Sequence, residues 1–383
     1  MTSNTGAGAM QEPRSVCPPG GDRPAPRVIE IGDFAYIALA YPQSATIIWT
    51  AEEAHGPPAP ANLRDFSLTE MWRLMQAAHA GKIDLIVLHV DRNPPWHWRH
   101  LRCLLHRPFR PWQRLLRMFG TFAVRLLPKK IPLFVIDTDD MRTIARHSTY
   151  LLDRCTYYFK RELPVDRWQV FQQTAHPEMP STRFRRRARN RARIAKLRPW
   201  SIGFRTESRP LPPAEFPDKT IDLLAAVSVN SSTVRMEGLA ELRALSARRP
   251  GIMIVDRRLP LDEYLRMMSQ SWLTWSPEGF GWDCIRHYEA AVCQSVPVIN
   301  RSTIIRYRPF IEGTHALHYD PDVPGELTGV IERALADLPR LREMAIAARE
   351  HVARFHLMPW SYADALLSYL SGEQPPGGLD LMA

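Results

Sequence analysis

The chain lacks several things that would fix its class at once. No stretch of its 383 residues stays apolar for the roughly 20 residues that a membrane-spanning helix needs. Cysteine is scarce. Cys17, Cys103, Cys155, Cys284 and Cys293 are odd in number and widely spaced, with no Cys-x-x-Cys pair and no metal-ligand spacing. That argues against a disulfide framework or a zinc site and predicts reduced thiols in a cytoplasmic protein, with Cys284 and Cys293 as core residues rather than nucleophiles. The first 26 residues are rich in Gly, Pro, Ser and Thr and lack an apolar run, so they read as a disordered tail, not as a signal peptide or membrane helix. No internal sequence repeat is found.

Acid is missing from two segments. Residues 92–130 carry ten Lys and Arg, residues 183–198 carry nine, and neither holds an Asp or Glu. The other thirty-one basic residues are outnumbered by forty acids, so the net charge of +10 is the work of two patches in a mildly acidic protein. This points to anionic ligands or surfaces at chosen places, not to a uniform nucleic-acid coat. Within 183–198 only Phe184 could stack on a base, which disfavours nucleic acid further. A solvated connecting helix and a helix facing a polyanion both fit its alternating alanines.

What is present is an α/β pattern. Strands are expected at 28–40 and 46–49. Ser67-Leu68-Thr69-Glu70 is a capping box that opens a helix to about residue 80, with Trp72, Met75 and Ala78 facing inward. Residues 82–90 form a continuous apolar strand of the parallel-sheet kind. From Pro111, Trp112, Leu115, Leu116, Phe119, Phe122, Ala123 and Leu126 recur at helical spacing among Arg114, Arg117 and Arg125. Two readings stand: a helix on the sheet with solvated cations, or a surface resting on the anionic inner face of a membrane, with Trp96, Trp98 and Phe109 as anchors. Strand 131–136 runs into Asp137-Thr138-Asp139-Asp140, which could hold a divalent ion or cap a helix over 141–147. Residues 150–163 read as helix then strand, with Lys160 and Arg161 at the far end. Arg198-Pro199-Trp200 marks a domain boundary.

A second α/β pattern follows. Strands are expected at 221–227, 251–255, 272–275, 296–300 and 316–319. Helices are expected at 236–247, 261–270, 283–293, 326–336, 341–355 and 362–371. A polar loop from Asn230 to Thr233 leads to Arg235. The densest segment is 271–300, where a buried strand, the Gly-bearing turn Glu278-Gly279-Phe280-Gly281, a helix and a second strand form a βαβ unit. Such units bind ligands at strand carboxyl ends and helix N-termini. Arg286 and Glu289 are three residues apart on that helix and so share a face. The glycines alone would serve equally well in an ordinary βα turn.

Gly279-Phe280-Gly281, Glu289-Ala290-Ala291 and Val296-Pro297-Val298-Ile299 together resemble the nucleotide-sugar motif of GT-B fold glycosyltransferases, in their exostosin-like and family 1-like branches. Pro309-Phe310, Glu312-Gly313 and His318-Tyr319-Asp320-Pro321-Asp322 are similar to the ending of the same domain. The resemblance is specific over about 220–355. Over 28–200 it rests on the α/β pattern and on Tyr158-Phe159-Lys160-Arg161-Glu162-Leu163. Two departures stand out: Glu278 and Glu289 lie further apart than the glutamate pair of many relatives, and Gln294-Ser295 fill a turn usually made by glycine.

The resemblance implies two Rossmann-like domains facing a cleft. Residues 27–200 would take the acceptor, 201–355 the UDP- or GDP-linked sugar, and a C-terminal helix and tail over 356–383 would brace the first domain. It implies that Glu289 accepts hydrogen bonds from ribose hydroxyls. Arg235, Arg286 and the backbone amides of Phe280–Trp282, with Gly279 and Gly281 shaping the loop, would hold the diphosphate. It implies transfer to a glycan, lipid-linked or small-molecule acceptor with no metal or other cofactor, which discounts Asp137 and Asp139. The catalytic base should come from the first domain, and His89 with Asp91 is the candidate, although a histidine at a strand end is also a common packing residue. The rival readings are a non-catalytic nucleotide-sugar or polyanion-binding protein with the same fold, and a nucleic-acid-binding protein that uses the arginine run.

Overall fold

The computed structural model describes residues 25–50, 59–90, 123–145, 148–172, 188–227, 232–375 and 377–378. Its first half is built on β1 (Val28–Gly32), β2 (Ala45–Trp49), β3 (Leu63–Asp65), β4 (Leu85–His89), β5 (Leu133–Asp137), β6 (Tyr157–Lys160) and β7 (Leu197–Pro199). These pair in the order β3-β2-β1-β4-β5-β6-β7, and every pairing is parallel. Every residue of β4 and β5 is buried, as expected of central parallel strands covered on both faces. On one face lie helix α2 (Leu68–His79) and the short α3 (Leu151–Arg154), in a cluster with Met71, Leu74, Leu88, Val135 and Leu151. On the other lies the short α1 (Ile37–Ala40).

After helix α4 (Ala188–Ile194), β7 and β8 (Phe204–Arg205), a second parallel sheet begins. Its strands are β9 (Ile221–Ala226), β10 (Ile252–Val255), β11 (Ser271–Trp275), β12 (Val296–Asn300) and β14 (Leu317–Tyr319), in the order β10-β9-β11-β12-β14. β13 (Arg306–Tyr307) lies outside this sheet. Helices α5 (Thr233–Ser246), α6 (Leu261–Ser269), α7 (Ile285–Val292), α8 (Glu326–Leu335) and α9 (Leu338–Phe355) cover its two faces. The protein is thus α/β with two Rossmann-like domains. β15 (Leu357–Met358) pairs with β8. The last helix, α10 (Trp360–Ser371), crosses back to the first sheet, where Tyr362, Ala363, Leu366 and Tyr369 pack with Tyr36, Phe159 and Trp200. Gly377–Gly378 form β16 against β13.

The element pattern follows the sequence closely, and the Ser67 hydroxyl accepts the Glu70 amide as the capping box requires. Four readings need correction. The strand expected over 28–40 stops at Gly32, because Glu30 turns its carboxylate to the Tyr36 and Ala38 amides and nucleates α1. Trp72 is 60% exposed, and Met71, Leu74 and Ala78 form the inner face of α2 instead. Leu126 is 66% exposed, while Val124 and Leu127 turn inward. The described part of 141–147 is loop, not helix. Residues 92–122 of the basic segment 92–130, on which most of its membrane-surface reading rests, lie outside the described residues. No helix among the described residues is long and apolar enough to cross a membrane.

The second arginine run is only partly a solvated face. Arg193 is 9% exposed and pairs with Asp153 (Nε to Oδ1 2.7 Å) and Asn190 (3.0 Å), tying α4 to α3. Arg198 lies over the Tyr157 ring, 4.6 Å from its centroid. Arg189 and Arg191 are exposed.

Candidate functional site

Residues 276–284 link β11 to α7 at the carboxyl edge of the second sheet, and their fold is fixed from behind. The His287 ring sits between the Ser276 hydroxyl at 2.7 Å and the Trp282 carbonyl at 2.9 Å. The carbonyl can only accept, so Nε2 carries a proton, and in the neutral ring Nδ1 accepts from serine. Arg306, almost fully buried, also donates to that carbonyl at 2.7 Å. At the end of β12, the Asn300 side chain accepts the Glu278 amide (2.8 Å) and donates to the Glu278 carboxylate (2.9 Å). Burial raises the pKa of Glu278, and the Asn300 and Ser232 hydrogen bonds oppose that rise. Glu278 therefore holds the loop in place.

The glycines of this loop do something other than bend it. Neither Gly279 nor Gly281 has a positive φ. A Cβ on Gly279 would lie 2.9 Å from Nη2 of Arg235, and one on Gly281 would lie 2.5 Å from Oε1 of Glu162. Each glycine admits a side chain from elsewhere: Arg235 from the first turn of α5, and Glu162 from just beyond β6. Arg235 fastens itself by donating from Nε to the Glu278 carbonyl at 2.7 Å.

The sequence reading gives the Phe280–Trp282 amides to a diphosphate, and for Trp282 the structure corrects this. Glu162, fully buried, accepts from the Trp282 amide at 3.1 Å and from the Asp283 amide at 3.0 Å. A protein carboxylate already fills the place expected for an anion. Its neighbour Arg161 donates to the Asp283 carbonyl (Nε, 3.1 Å) and pairs with Asp140. Asp283 binds the Ile202 amide and the Tyr288 hydroxyl, each at 2.6 Å. This buried network joins the carboxyl edges of the two sheets. Only the position of Arg161-Glu162 at a strand end, next to Lys160, hinted at it in sequence.

The face of α7 that carries Arg286 and Glu289 forms as expected. Glu289 is 4% exposed, and both its oxygens have donors: Arg209 Nε at 2.8 Å and the Tyr264 hydroxyl at 3.2 Å. Nε and Nη1 of Arg286 are buried with no hydrogen-bond partner among the described residues. The pKa of Arg235 is lowered, first by burial and then by Arg286. That of Tyr264 is raised by burial, with Arg286 opposing. Two guanidinium groups thus share a partly buried place beside a buried carboxylate. Arg209, on the segment before β9, was not found by sequence reasoning, because nothing local distinguishes it from the other arginines around it.

The candidates from the first sheet are placed differently. His89 ends β4, 5% exposed, against Tyr36 and Phe34 (ring centroids 5.3 and 6.0 Å) and 3.9 Å from Glu30. Neither of its ring nitrogens has a hydrogen-bond partner among the described residues. Asp91 lies outside the described residues. Asp137 is taken by Lys160 (3.0 Å), the Tyr158 hydroxyl (2.8 Å) and the Asp139 amide (3.1 Å). Cys293 is buried, and burial pushes its thiol up to about 12, as fits a core residue; Cys284 is half-buried. A cavity of about 230 Å³ opens at the carboxyl ends of β1 and β2, lined by Asp33, Phe34, Trp49, Arg205, Glu207 and Met358 among others. Arg205 lies over Phe34 at 4.3 Å, and its Nε and Glu207 Oε2 have no hydrogen-bond partner among the described residues.

No family model matches the chain, and no curated protein matches it. Similar solved structures include Alr3699/HepE of Anabaena in complex with UDP, 12% identical, over 90% of this chain and 99% of that one, with a TM-score of 0.47. Others are a glycosyltransferase from Rickettsia africae (10% identical, 91% and 98% covered, TM-score 0.49) and a UDP-forming α,α-trehalose-phosphate synthase from Burkholderia vietnamiensis (11% identical, 92% and 98% covered, TM-score 0.49).

Proposed function

We propose that this protein is a glycosyltransferase that moves a sugar from a UDP- or GDP-linked donor to a hydroxyl-bearing acceptor: a glycan, a lipid-linked glycan or a small molecule. The observation that carries the reading is Arg286. Its Nε and Nη1 groups, buried and without a hydrogen-bond partner among the described residues, stand next to Arg235 and one helical turn from Glu289. Two buried cations side by side are unfavourable unless an anion joins them. A diphosphate satisfies both, and the attached ribose then presents its hydroxyls to Glu289.

The chemistry follows from that placement. The bond from the anomeric carbon to the β-phosphate oxygen breaks, and charge collects on the leaving diphosphate. Fixed guanidinium groups lower the barrier because they face that charge without reorganising. They supply what a metal ion would otherwise supply, so the proposal is metal-independent. Residues 201–355 hold the donor and residues 27–200 the acceptor. The cavity bounded by Trp49, Asp33 and Glu207 suits a sugar, with an aromatic face for its C–H groups and carboxylates for its hydroxyls. His89 is the base in this reading, since a ring with no hydrogen-bond partner among the described residues is able to accept the proton of the attacking hydroxyl.

One observation favours the non-catalytic alternative, a nucleotide-sugar-binding protein: His89 lies beneath Phe34 and Tyr36, only 5% exposed. Two measurements decide. UDP or GDP should raise the melting temperature of the wild type and not of Glu289→Ala; equal stabilisation of both removes the donor site. Release of UDP or GDP from a donor sugar, over a panel of acceptors, then separates an enzyme from a binding protein.

A further inference from the structure

Glu289, the carboxylate assigned above to the ribose, is not simply waiting for it. Arg209 holds Oε1 at 2.8 Å, with the Glu289 side chain 5% exposed and that of Arg209 24% exposed. Apart from Glu289, the Arg209 guanidinium has, among the described residues, a single side-chain hydrogen bond, a long one to Ser208 at 3.3 Å. Tyr264 donates to the other oxygen, and each oxygen of a carboxylate can accept twice, so tyrosine and ribose can share Glu289. Arg209 is the charged competitor for it, and its long side chain is partly exposed.

The backbone that carries Arg209 is anchored. Phe204–Arg205 pairs with Leu357–Met358, the Thr206 hydroxyl donates to the Met358 carbonyl at 2.7 Å, and the Arg209 amide donates to the Arg205 carbonyl at 3.1 Å. Arg205 reaches Phe34 of the first domain. The strap 204–209 therefore touches both domains, and Arg205, Glu207 and Ser208 line the cavity.

We propose that Arg209 is a latch on the donor site. Its guanidinium holds Glu289 until the ribose diol takes over that carboxylate, and it then turns to the diphosphate beside Arg235 and Arg286. Arg209 thereby selects a nucleoside that carries phosphate over one that does not. Whatever fills the cavity also touches the strap within one residue of the latch, at Ser208. The inference rests on the reading of Glu289 as the ribose ligand.

The test titrates the full chain with uridine and UDP, and in parallel with guanosine and GDP, for the wild type, Arg209→Ala, Arg209→Lys and Glu289→Ala. Nucleosides are followed by displacement of the diphosphate where direct heats are small. Removing the competitor should tighten nucleoside binding by about tenfold in Arg209→Ala, while the diphosphate gains nothing, so that the ratio of the two affinities falls by about tenfold or more. Arg209→Lys should recover part of that ratio. Nucleoside and diphosphate affinities that change by one common factor in Arg209→Ala, or a nucleoside that binds more weakly, overturn the latch and make Arg209 a mere support for Glu289. If Glu289→Ala leaves nucleoside binding intact, the ribose reading fails and the latch with it. If Glu289→Ala abolishes binding while Arg209→Ala changes nothing, only the latch fails.

Discussion

The carboxylate of Glu162 receives the backbone N–H of Trp282 at 3.1 Å, so a side chain of the first domain caps the glycine loop of the second. Burial raises the pKa of Glu162, Arg161 opposes the rise and Asp283 reinforces it. An acid whose folded pKa lies above its unfolded value of 4.5 contributes stability in full below that value and loses it as pH rises through the folded one. The melting temperature of the wild type, measured against Glu162→Gln, should therefore decline as pH climbs above the ordinary carboxylate range. A difference that stays constant with pH contradicts this, whatever its offset.

The two loop glycines should fail in different ways. Gly281→Ala drives a Cβ into Glu162 and should lower stability by about 1–3 kcal/mol. Gly279→Ala presses on the terminal Nη2 of Arg235, with Cys284 Sγ at an ordinary 3.6 Å, and should fold normally while weakening the binding of UDP or GDP. Thermal melts and titration of both variants check the contrast; identical losses in both would refute it.

Arg286→Met should separate stability from binding. Unpartnered buried N–H groups are costly, about 1–3 kcal/mol each, and methionine removes them at similar length. The variant should melt at or above the wild-type temperature. It should bind the diphosphate tenfold to a hundredfold more weakly, the equivalent of about 1.5–3 kcal/mol for a hydrogen bond to a charged group. A lower melting temperature with intact binding would assign Arg286 to the framework.

Acid should unfold the second domain early. The Arg308 carbonyl receives the Nε2–H of both His351 (2.9 Å) and His356 (2.8 Å). Burial brings their pKa values down to about 3 and about 4. The unfolded chain protonates these rings near 6.5, so stability is lost as pH falls from there towards 4, by about 1.4 kcal/mol per pH unit for each ring. Denaturant melts between pH 7 and pH 4.5 should show this slope, and His351→Gln should make it shallower.

Gly238 lies inside α5, where alanine would ordinarily gain about 1 kcal/mol. Here its Cβ would fall 2.3 Å from Cζ2 of Trp275, a fully buried ring fixed by its hydrogen bond to Tyr319 at 3.0 Å. Gly238→Ala should destabilise by about 1–3 kcal/mol, read from chemical denaturation.

Periodicity made the two sheets legible, because buried parallel strands leave apolar runs such as 82–90 and because caps such as Ser67 act within four residues. The pairing of Arg286 with Glu289 was legible for the same reason: it depends only on helical spacing. Contacts between distant residues were not. Glu162 reaches the Trp282 amide across 120 positions, and Arg209 reaches Glu289 across 80. Glu162 is marked only by its place at a strand end beside Lys160 and Arg161, and Arg209 by nothing local. The phase of α2 differs from the expected one by a position at Trp72, because Met71 packs on the sheet and the larger aromatic beside it faces solvent. The strand reading of 34–40 failed because a single carboxylate, Glu30, redirects the backbone.

The return of α10 to the first sheet bears on how the protein is made. Tyr362, Leu366 and Tyr369 complete a core that also contains Val28, Tyr36 and Ile47, more than 300 positions earlier. Ribosomal synthesis delivers residues in order, and domains commonly fold as they emerge. Here one apolar face of the first domain is only partly covered until residues 360–371 follow the whole second domain. During that interval the second domain can already close around its own core. Residues 360–371 thus finish a domain core that begins more than 300 positions earlier.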